Sequence, residues 1–166
     1  NVRGHAGAER SDFNGTVSID IDIKRPINSF ELHSNGLTIE KAILVNRLIM
    51  FNGAEVSRIS TNAERESITI HANRTIQHDE KFILQIFYRG VAKMDGYGLY
   101  ENWDPKLNAS WDSNGPFILA SNNFPTGARF WFPCFDDPKL KAPFQLQVNH
   151  PRGMNVYSNT NVRRTE

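Results

Sequence analysis

Apolar and polar residues alternate strictly near the start of this chain, in the run FNGTVSIDIDIKRPI at residues 13–27. The apolar positions are Val17, Ile19, Ile21 and Ile23, and the polar positions between them are Ser18, Asp20 and Asp22. Such alternation has the period of a β-strand, whose successive side chains point to opposite faces, and a helix cannot produce it. The run therefore predicts a strand with one buried face and one solvated face.

Strand-like segments recur along most of the chain, and turn residues separate them. The segment FILQIFY at 82–88 is the most apolar and is predicted to be a central strand. Only residues 137–142, where Asp137 can cap a helix that begins at Pro138, favour a short helical turn. The predicted fold class is all-β, an antiparallel sandwich or saddle of sheets. The other predicted strands are 30–33, a pair or hairpin at 37–45 and 47–51 that ends in an Asn52-Gly53 turn, 56–60, 67–71, 117–121, 144–149 and 156–159.

Length and charge limit the class of protein. The chain has 166 residues, enough for one domain that buries roughly two thirds of its unfolded surface. A formal net charge of +1 gives no reason to expect nucleic acid or an anionic membrane as a partner, and no apolar run is long enough to predict a membrane span. Residues 1–12 are expected to be a flexible segment, native or not, before a single domain at 13–166.

Cysteine and asparagine residues bear on the compartment. Cys134 is the only cysteine, so no internal disulfide can form, and its position between Pro133 and Phe135 predicts a buried, unreactive thiol. Three N-x-S/T sequons, hardly more than chance would supply, are possible N-glycosylation sites. They favour an extracellular or membrane-anchored ectodomain, and a cytoplasmic location stays open. The sequon asparagines are Asn14, Asn73 and Asn108.

The stretch ASNNFPTGARFWFPCFDDPKLKAPF at 120–144 is dense in proline and aromatic residues. So many bulky rings predict a loop that is packed against the protein. Arg129 is expected to pair with Asp136 or Asp137, because a charge within an aromatic cluster needs a partner. Acid–base work by the two carboxylates is the alternative, but no other part of such a site accompanies them. The rings expected in the core or at a domain interface are Phe130, Trp131 and Phe132.

This stretch resembles the N-terminal domain of the M1 zinc aminopeptidases, in which it reads approximately T-Q-x-E-P-T-x-A-R, then F-P-C-F-D-E-P, then K-A-x-F. The strand-like run at 13–23, followed by Leu32-His33-Ser34, is similar to the opening of that domain, so the resemblance extends over 13–159. The matching residues for which it implies a structural role are Pro125, Thr126, Arg129, Pro133, Cys134, Phe135, Asp136, Asp137 and Pro138.

The resemblance implies a metallopeptidase whose zinc and catalytic residues lie elsewhere in a longer parent chain. The family holds zinc with an H-E-x-x-H helix and grips a peptide's amino terminus with a G-x-M-E-N loop. Neither motif occurs here, and no two histidines are four residues apart. No metal site and no catalysis are therefore expected in this chain alone. Its expected partner is the parent's catalytic domain and, through it, a peptide substrate.

Two positions depart from the family pattern. In the family, the glutamine and glutamate of T-Q-x-E-P-T face the substrate, and the glutamate helps to hold its ammonium group. Aligned on Pro125 and Thr126, Asn122 takes the glutamine position and Phe124 the glutamate position. The shorter amide can partly replace the glutamine, but the uncharged ring loses a charge-assisted contact of roughly 1.5 to 3 kcal/mol.

The resemblance leads to one hypothesis and leaves two rivals open. The hypothesis is a non-catalytic domain that packs on the zinc domain of an M1-type aminopeptidase and shapes its substrate cleft. The first rival is an extracellular binding module of a relative that has lost catalysis, and the second is an unrelated adhesion sandwich. Because the family domain has further strands at both ends, this one is expected to be incomplete, with open strand edges that could self-associate.

Overall fold

A computed structural model describes residues 2–3, 12–47, 53–103 and 117–164 of the chain. These residues form nine strands in three antiparallel sheets, which confirms the all-β fold class. A four-stranded sheet has the order β1-β2-β7-β4, a three-stranded sheet has the order β3-β6-β5, and β8 and β9 form a ribbon. The strands are β1 (Val2–Arg3), β2 (Asp12–Asp22), β3 (Ile27–His33), β4 (Thr38–Asn46), β5 (Val56–Asn62), β6 (Ser67–Ile76), β7 (Lys81–Val91), β8 (Gly98–Trp103) and β9 (Phe117–Asn122).

Strand β7 lies inside the four-stranded sheet, as its apolar sequence predicted. It pairs with β2 along its whole length, from Lys81 opposite Asp22 to Val91 opposite Asp12, and with β4 on its other side. Strand β2 alternates between exposed and less exposed residues, so its expected solvated face is confirmed. The two-residue strand β1 pairs with the first residues of β2, which attaches Val2–Arg3 to the sheet edge.

The two larger sheets pack face to face through their inward side chains. Phe82, Leu84 and Ile86 of β7 are fully buried and meet Leu32 of β3 and Ile70 of β6 in one apolar cluster. Each fully buried aliphatic or aromatic side chain contributes roughly 1.5 to 3 kcal/mol to folding. The other buried members of this cluster are Ile23, Phe30, Leu44, Ala54, Ile68 and Ile76.

The chain crosses between the sheets after β4. Strand β4 pairs with β7 and strand β5 pairs with β6, so β4 and β5 belong to different sheets. The strand predicted at 47–51 and Asn52 of its turn lie almost wholly outside the described residues. The predicted pairing of 56–60 with 67–71 is the β5–β6 hairpin, with its turn at 63–66.

The segment near 137–142 forms one hydrogen-bonded turn and no regular helix. Leu140 N donates to Asp137 O at 2.8 Å, and Lys139 N donates to Asp137 Oδ1 at 2.9 Å. The carboxylate thus caps a turn, and Pro143, which has no N–H to donate, follows closely. A three-residue 3₁₀ helix instead forms at Ala128–Phe130, which the sequence did not predict.

The strands predicted at 144–149 and 156–159 are wrong for the part of the chain that is described. Residues 141–150 and 154–158 belong to no strand or turn, and most of their side chains are exposed, including Phe144 and Tyr157. Alternation reports which way side chains point, but a strand also needs a backbone partner, and the described sheets supply none here. Among the described residues, no helix is long and apolar enough to cross a membrane.

Candidate functional site

The segment 122–126 leaves the end of β9 and is anchored at both of its ends. At the first end, Asn122 Nδ2 donates to Gly96 O at 3.2 Å, and Asn122 Oδ1 accepts from Phe124 N at 3.4 Å. The amide nitrogen and the amide oxygen of Asn122 therefore each make one hydrogen bond within the protein. An asparagine amide has two donors and two lone pairs, so one donor and one lone pair remain for another molecule.

The second anchor is a contact between Thr126 and Tyr97. The Tyr97 hydroxyl lies 3.2 Å from Thr126 Oγ1 and accepts a hydrogen bond from Thr126 N at 3.3 Å. The next residue, Gly127, donates its N–H to Asn123 O at 3.0 Å. A Cβ at Gly127 would collide with the backbone of Asn122 and Asn123, so glycine is required by this close approach.

Phe124 stands at the tip of this anchored segment and is 82% exposed. The segment that carries it is held by hydrogen bonds to Gly96, Tyr97 and Gly127, so the ring projects from a fixed support. A single exposed apolar side chain is common on protein surfaces, so the feature that distinguishes Phe124 is the fixed support on which its ring stands. The arrangement can offer a molecule an aromatic face and part of the Asn122 amide. It offers no charge at this position.

Behind the segment, Arg129 of the 3₁₀ helix forms a two-sided ion pair. Its Nε donates to Asp136 Oδ2 at 3.0 Å and its NH1 donates to Glu66 Oε2 at 2.9 Å. The Arg129 and Asp136 side chains are only 11% and 10% exposed. Burial acts to lower the pKa of the Arg129 guanidinium, but the hydrogen bonds to Asp136 and Glu66 outweigh it, so the pKa lies above its ordinary value.

Of the two aspartates considered from the sequence, Asp136 forms the pair and Asp137 does not. Asp137 is exposed and instead caps the turn described above. Sequence reasoning missed Glu66, which lies 63 residues from Arg129, and no local pattern could have indicated it. The two carboxylates therefore serve separate local structures, and no shared acid–base geometry links them.

The residues that follow the 3₁₀ helix are joined to β3. His33 and Cys134 form an antiparallel bridge, and Asp136 N donates to His33 Nδ1 at 3.1 Å. The His33 ring is therefore hydrogen-bonded, and the residue is partly buried. Phe135 is partly buried against the core, and Pro133 is fully buried. Pro138 is exposed in the turn.

Cys134 is buried, with 8% of its surface exposed. Burial, with a smaller contribution from the nearby Asp136 carboxylate, raises the pKa of its thiol to about 12. Because only the thiolate is a nucleophile, the group is unreactive near neutral pH.

Aromatic residues after Arg129 are partly buried and contact one another. Lys93 Nζ lies 3.3 Å from the centre of the Phe130 ring, which also packs edge-on against Tyr97. Trp131 contacts Phe132, whose ring in turn lies 5.9 Å from that of the exposed Phe144. The Phe130 ring is thus joined through Tyr97 to Thr126 of the segment 122–126, while Trp131, Phe132 and Phe144 form a separate set of ring contacts.

Two of the three sequons lie in described strands and one does not. Asn14 is exposed in β2 and Asn73 is exposed in β6. The amide oxygen of Asn73 accepts a hydrogen bond from Glu55 N at 3.0 Å, while its amide nitrogen is the atom that glycosylation would modify. Asn108 lies outside the described residues.

The described residues contain no group of three or more His, Cys, Asp or Glu side chains that could hold a metal ion. His71 illustrates why, since its ring nitrogen Nε2 lies 3.1 Å from Ser60 Oγ and 3.4 Å from Arg58 NH2, and neither neighbour is a preferred zinc ligand. The described residues therefore do not fit zinc.

The sheets, the anchored segment and the Arg129 ion pair define an all-β domain with one fixed, proline- and aromatic-rich stretch. The chain matches the Peptidase M1 N-terminal domain over residues 2–166, and it belongs to that family. Human endoplasmic reticulum aminopeptidase 1 is 29% identical over 154 residues, which are 92% of this chain and 16% of that protein.

Other relatives cover the chain to a similar extent. Human glutamyl aminopeptidase is 26% identical over 163 residues, or 95% of this chain and 16% of the relative. The human thyrotropin-releasing hormone-degrading ectoenzyme is 25% identical over 144 residues, or 86% of this chain and 13% of the relative. The chain thus spans only about a sixth of the length of the relatives it matches, and the family model places it as an N-terminal domain.

Proposed function

We propose that this domain packs on a zinc-bearing catalytic domain of the same polypeptide and forms one edge of its substrate cleft through the segment 122–126. The observation that carries the proposal is the exposed Phe124 ring on a segment fixed by Tyr97, Gly96 and Gly127. A cleft edge has to hold its shape while substrates enter and leave, and a fixed support meets that requirement.

Zinc and the hydrolytic residues would lie outside this chain. The described residues offer no metal ligand group, and the aminopeptidase relatives are roughly six times longer than the matched region. The remainder of the parent chain would therefore supply the metal, the general base and most of the substrate contacts. This domain would contribute shape and polarity at the end of the cleft that receives the amino terminus.

Phe124 sets the chemistry that this edge can offer. An ammonium group next to the ring would lack a charge-assisted hydrogen bond worth roughly 1.5 to 3 kcal/mol, and a cation–π contact would return about 1 kcal/mol. Asn122 offers only one further donor and one further lone pair, because Gly96 O and Phe124 N occupy the rest. We infer a parent that binds free amino termini weakly or prefers an apolar first residue.

The relatives also suggest a compartment. Their names place one in the endoplasmic reticulum and describe another as an ectoenzyme. We infer that the parent works outside the cytoplasm, with exposed Asn14 and Asn73 as its glycosylation sites in the described part. Their occupancy is testable by mass spectrometry with and without an N-glycosidase.

A second candidate function is a binding module in which the peptidase shape persists without catalysis. Phe124 favours it, because the ring stands where the family pattern has a charged residue. In this case the exposed Phe124 ring, with the partly buried rings of Phe130, Trp131 and Phe132, would contact a protein partner.

Activity and zinc content, measured on this domain and on its full-length parent in parallel, separate the two functions. Amino-acid arylamides serve as substrates. The proposed function requires hydrolysis and about one zinc per parent chain, with neither in the isolated domain. A parent without zinc and without hydrolysis overturns it and supports the binding module.

A further inference from the structure

We propose that Glu66 is a positioning residue that fixes the segment 122–126 through its ion pair with Arg129. This inference rests on the proposed role of that segment at the substrate cleft. Glu66 is far from the segment in sequence and belongs to the β5–β6 turn.

Both carboxylate oxygens of Glu66 are engaged, each by a different part of the chain. Oε1 accepts from Asn35 Nδ2 at 2.6 Å, and Oε2 accepts from Arg129 NH1 at 2.9 Å. The Glu66 carbonyl also accepts from Ser34 N at 2.8 Å. The φ angle of Glu66 is 50°, in the left-handed region that residues other than glycine rarely adopt. Such a backbone conformation persists only where surrounding contacts hold it, and here these hydrogen bonds do so.

Arg129 is thereby fixed from three directions. Glu66 and Asp136 hold its guanidinium, and Asn35 N donates to its carbonyl oxygen at 2.9 Å. From Arg129 the constraint passes through the 3₁₀ helix, where Phe130 N donates to Gly127 O at 3.2 Å. Gly127 N in turn donates to Asn123 O. A loss of the Glu66 charge should therefore loosen the residues on either side of Phe124.

The chain contains a matched control for this effect. Glu80 receives two hydrogen bonds from Arg74, at 2.9 and 2.7 Å, so it forms an ion pair with equally good geometry. That pair joins β6 to the start of β7 and touches no residue from 122 to 130 in the described contacts. Comparing Glu66→Gln with Glu80→Gln therefore separates a local positioning effect from a general loss of stability.

Hydrogen exchange of the full-length protein, followed by mass spectrometry, tests the inference. Glu66→Gln should speed exchange in peptides that cover 121–130 about tenfold or more, while peptides from β7 stay protected. Glu80→Gln should leave 121–130 as in the wild type. Unchanged exchange at 121–130 in Glu66→Gln, or equally faster exchange in both variants, overturns the inference.

Steady-state kinetics on amino-acid arylamides then separate the inference from the function on which it rests. A positioning role predicts a raised KM in Glu66→Gln with kcat nearly unchanged and zinc content intact, and no change in Glu80→Gln. Faster exchange at 121–130 with an unchanged KM supports the positioning by Glu66 and overturns the cleft role of the segment. A raised KM without faster exchange overturns the positioning.

Discussion

His33 and Cys134 exchange both of their backbone hydrogen bonds, with His33 N donating to Cys134 O at 2.8 Å and Cys134 N donating to His33 O at 3.1 Å. This single bridge attaches the proline- and aromatic-rich stretch to β3, which is an outer strand of its sheet. It covers the end of an edge that would otherwise be open to pairing with another chain. It also places the Cys134 thiol against the core.

The first prediction concerns the reactivity of Cys134. Burial raises the pKa of the thiol to about 12 from an ordinary value of 9.0. At mildly alkaline pH the thiolate fraction in the folded protein should therefore be about a thousandfold lower than in the unfolded protein. We expect iodoacetamide to label the folded protein at least about a hundred times more slowly than the protein in urea, as followed by mass spectrometry. This threshold is set about tenfold below the thousandfold difference in thiolate fraction. Folded and unfolded rates within about tenfold of each other would contradict the buried thiol.

The second prediction concerns the Arg129 ion pair. Arg129→Met keeps the length of the side chain but leaves the Asp136 carboxylate buried without its partner, which should lower the free energy of unfolding by about 3 kcal/mol. Urea denaturation measures it. The control is Arg74→Met, whose pair is more exposed and should cost about 1 kcal/mol or less. Equal losses of unfolding free energy in the two variants would show that burial does not strengthen the Arg129 ion pair.

The third prediction concerns acid stability. The hydrogen bonds from Arg74 lower the pKa of Glu80 to about 2 from 4.5, so this pair stabilises the protein above pH 4.5 and the contribution disappears as the pH falls towards 2. Since the Arg74 side chain is 38% exposed, the contribution at neutral pH should be only about 1 kcal/mol. Glu80→Gln should show this deficit near neutrality and lose it in acid. A deficit that stays constant with pH would contradict the ion pair.

The fourth prediction concerns Phe124 in the full-length protein. Phe124→Glu restores a negative charge at the cleft edge and, after loss of the cation–π contact, should gain about 1 kcal/mol with substrates that have a free amino terminus, or roughly a fivefold lower KM. Phe124→Leu, which has neither ring nor charge, should raise KM. The same KM for the wild type, Phe124→Glu and Phe124→Leu would show that Phe124 does not contact the substrate.

Sequence patterns predicted features that depend on local chemistry. The apolar run of β7 indicated an inner strand, and the structure confirms this position, with one face of the strand buried and the other partly buried. The burial of Cys134 followed from its neighbours Pro133 and Phe135. The pairing of Arg129 with an aspartate of the same stretch needed only a short separation along the chain.

Features that depend on distant partners could not be predicted in this way. Glu66 is joined to Arg129 only because the β5–β6 turn folds over the 3₁₀ helix. The apolar alternation at 144–149 predicted a strand, but alternation carries no information about a neighbouring strand, and residues 144–149 belong to none. The division of β4 and β5 between two sheets likewise depends on β7, which follows both of them in the sequence.

The position of β7 has a consequence for how this domain is made. Strand β2 ends at Asp22, and its partner β7 begins at Lys81, about sixty residues later. During synthesis the edges of β2 and β4 that face β7 must therefore wait without a partner, while the β3-β6-β5 sheet, whose strands all precede β7, can already close. The larger sheet is completed late, and until β7 emerges its two flanking strands are the parts of the nascent chain most exposed to mispairing.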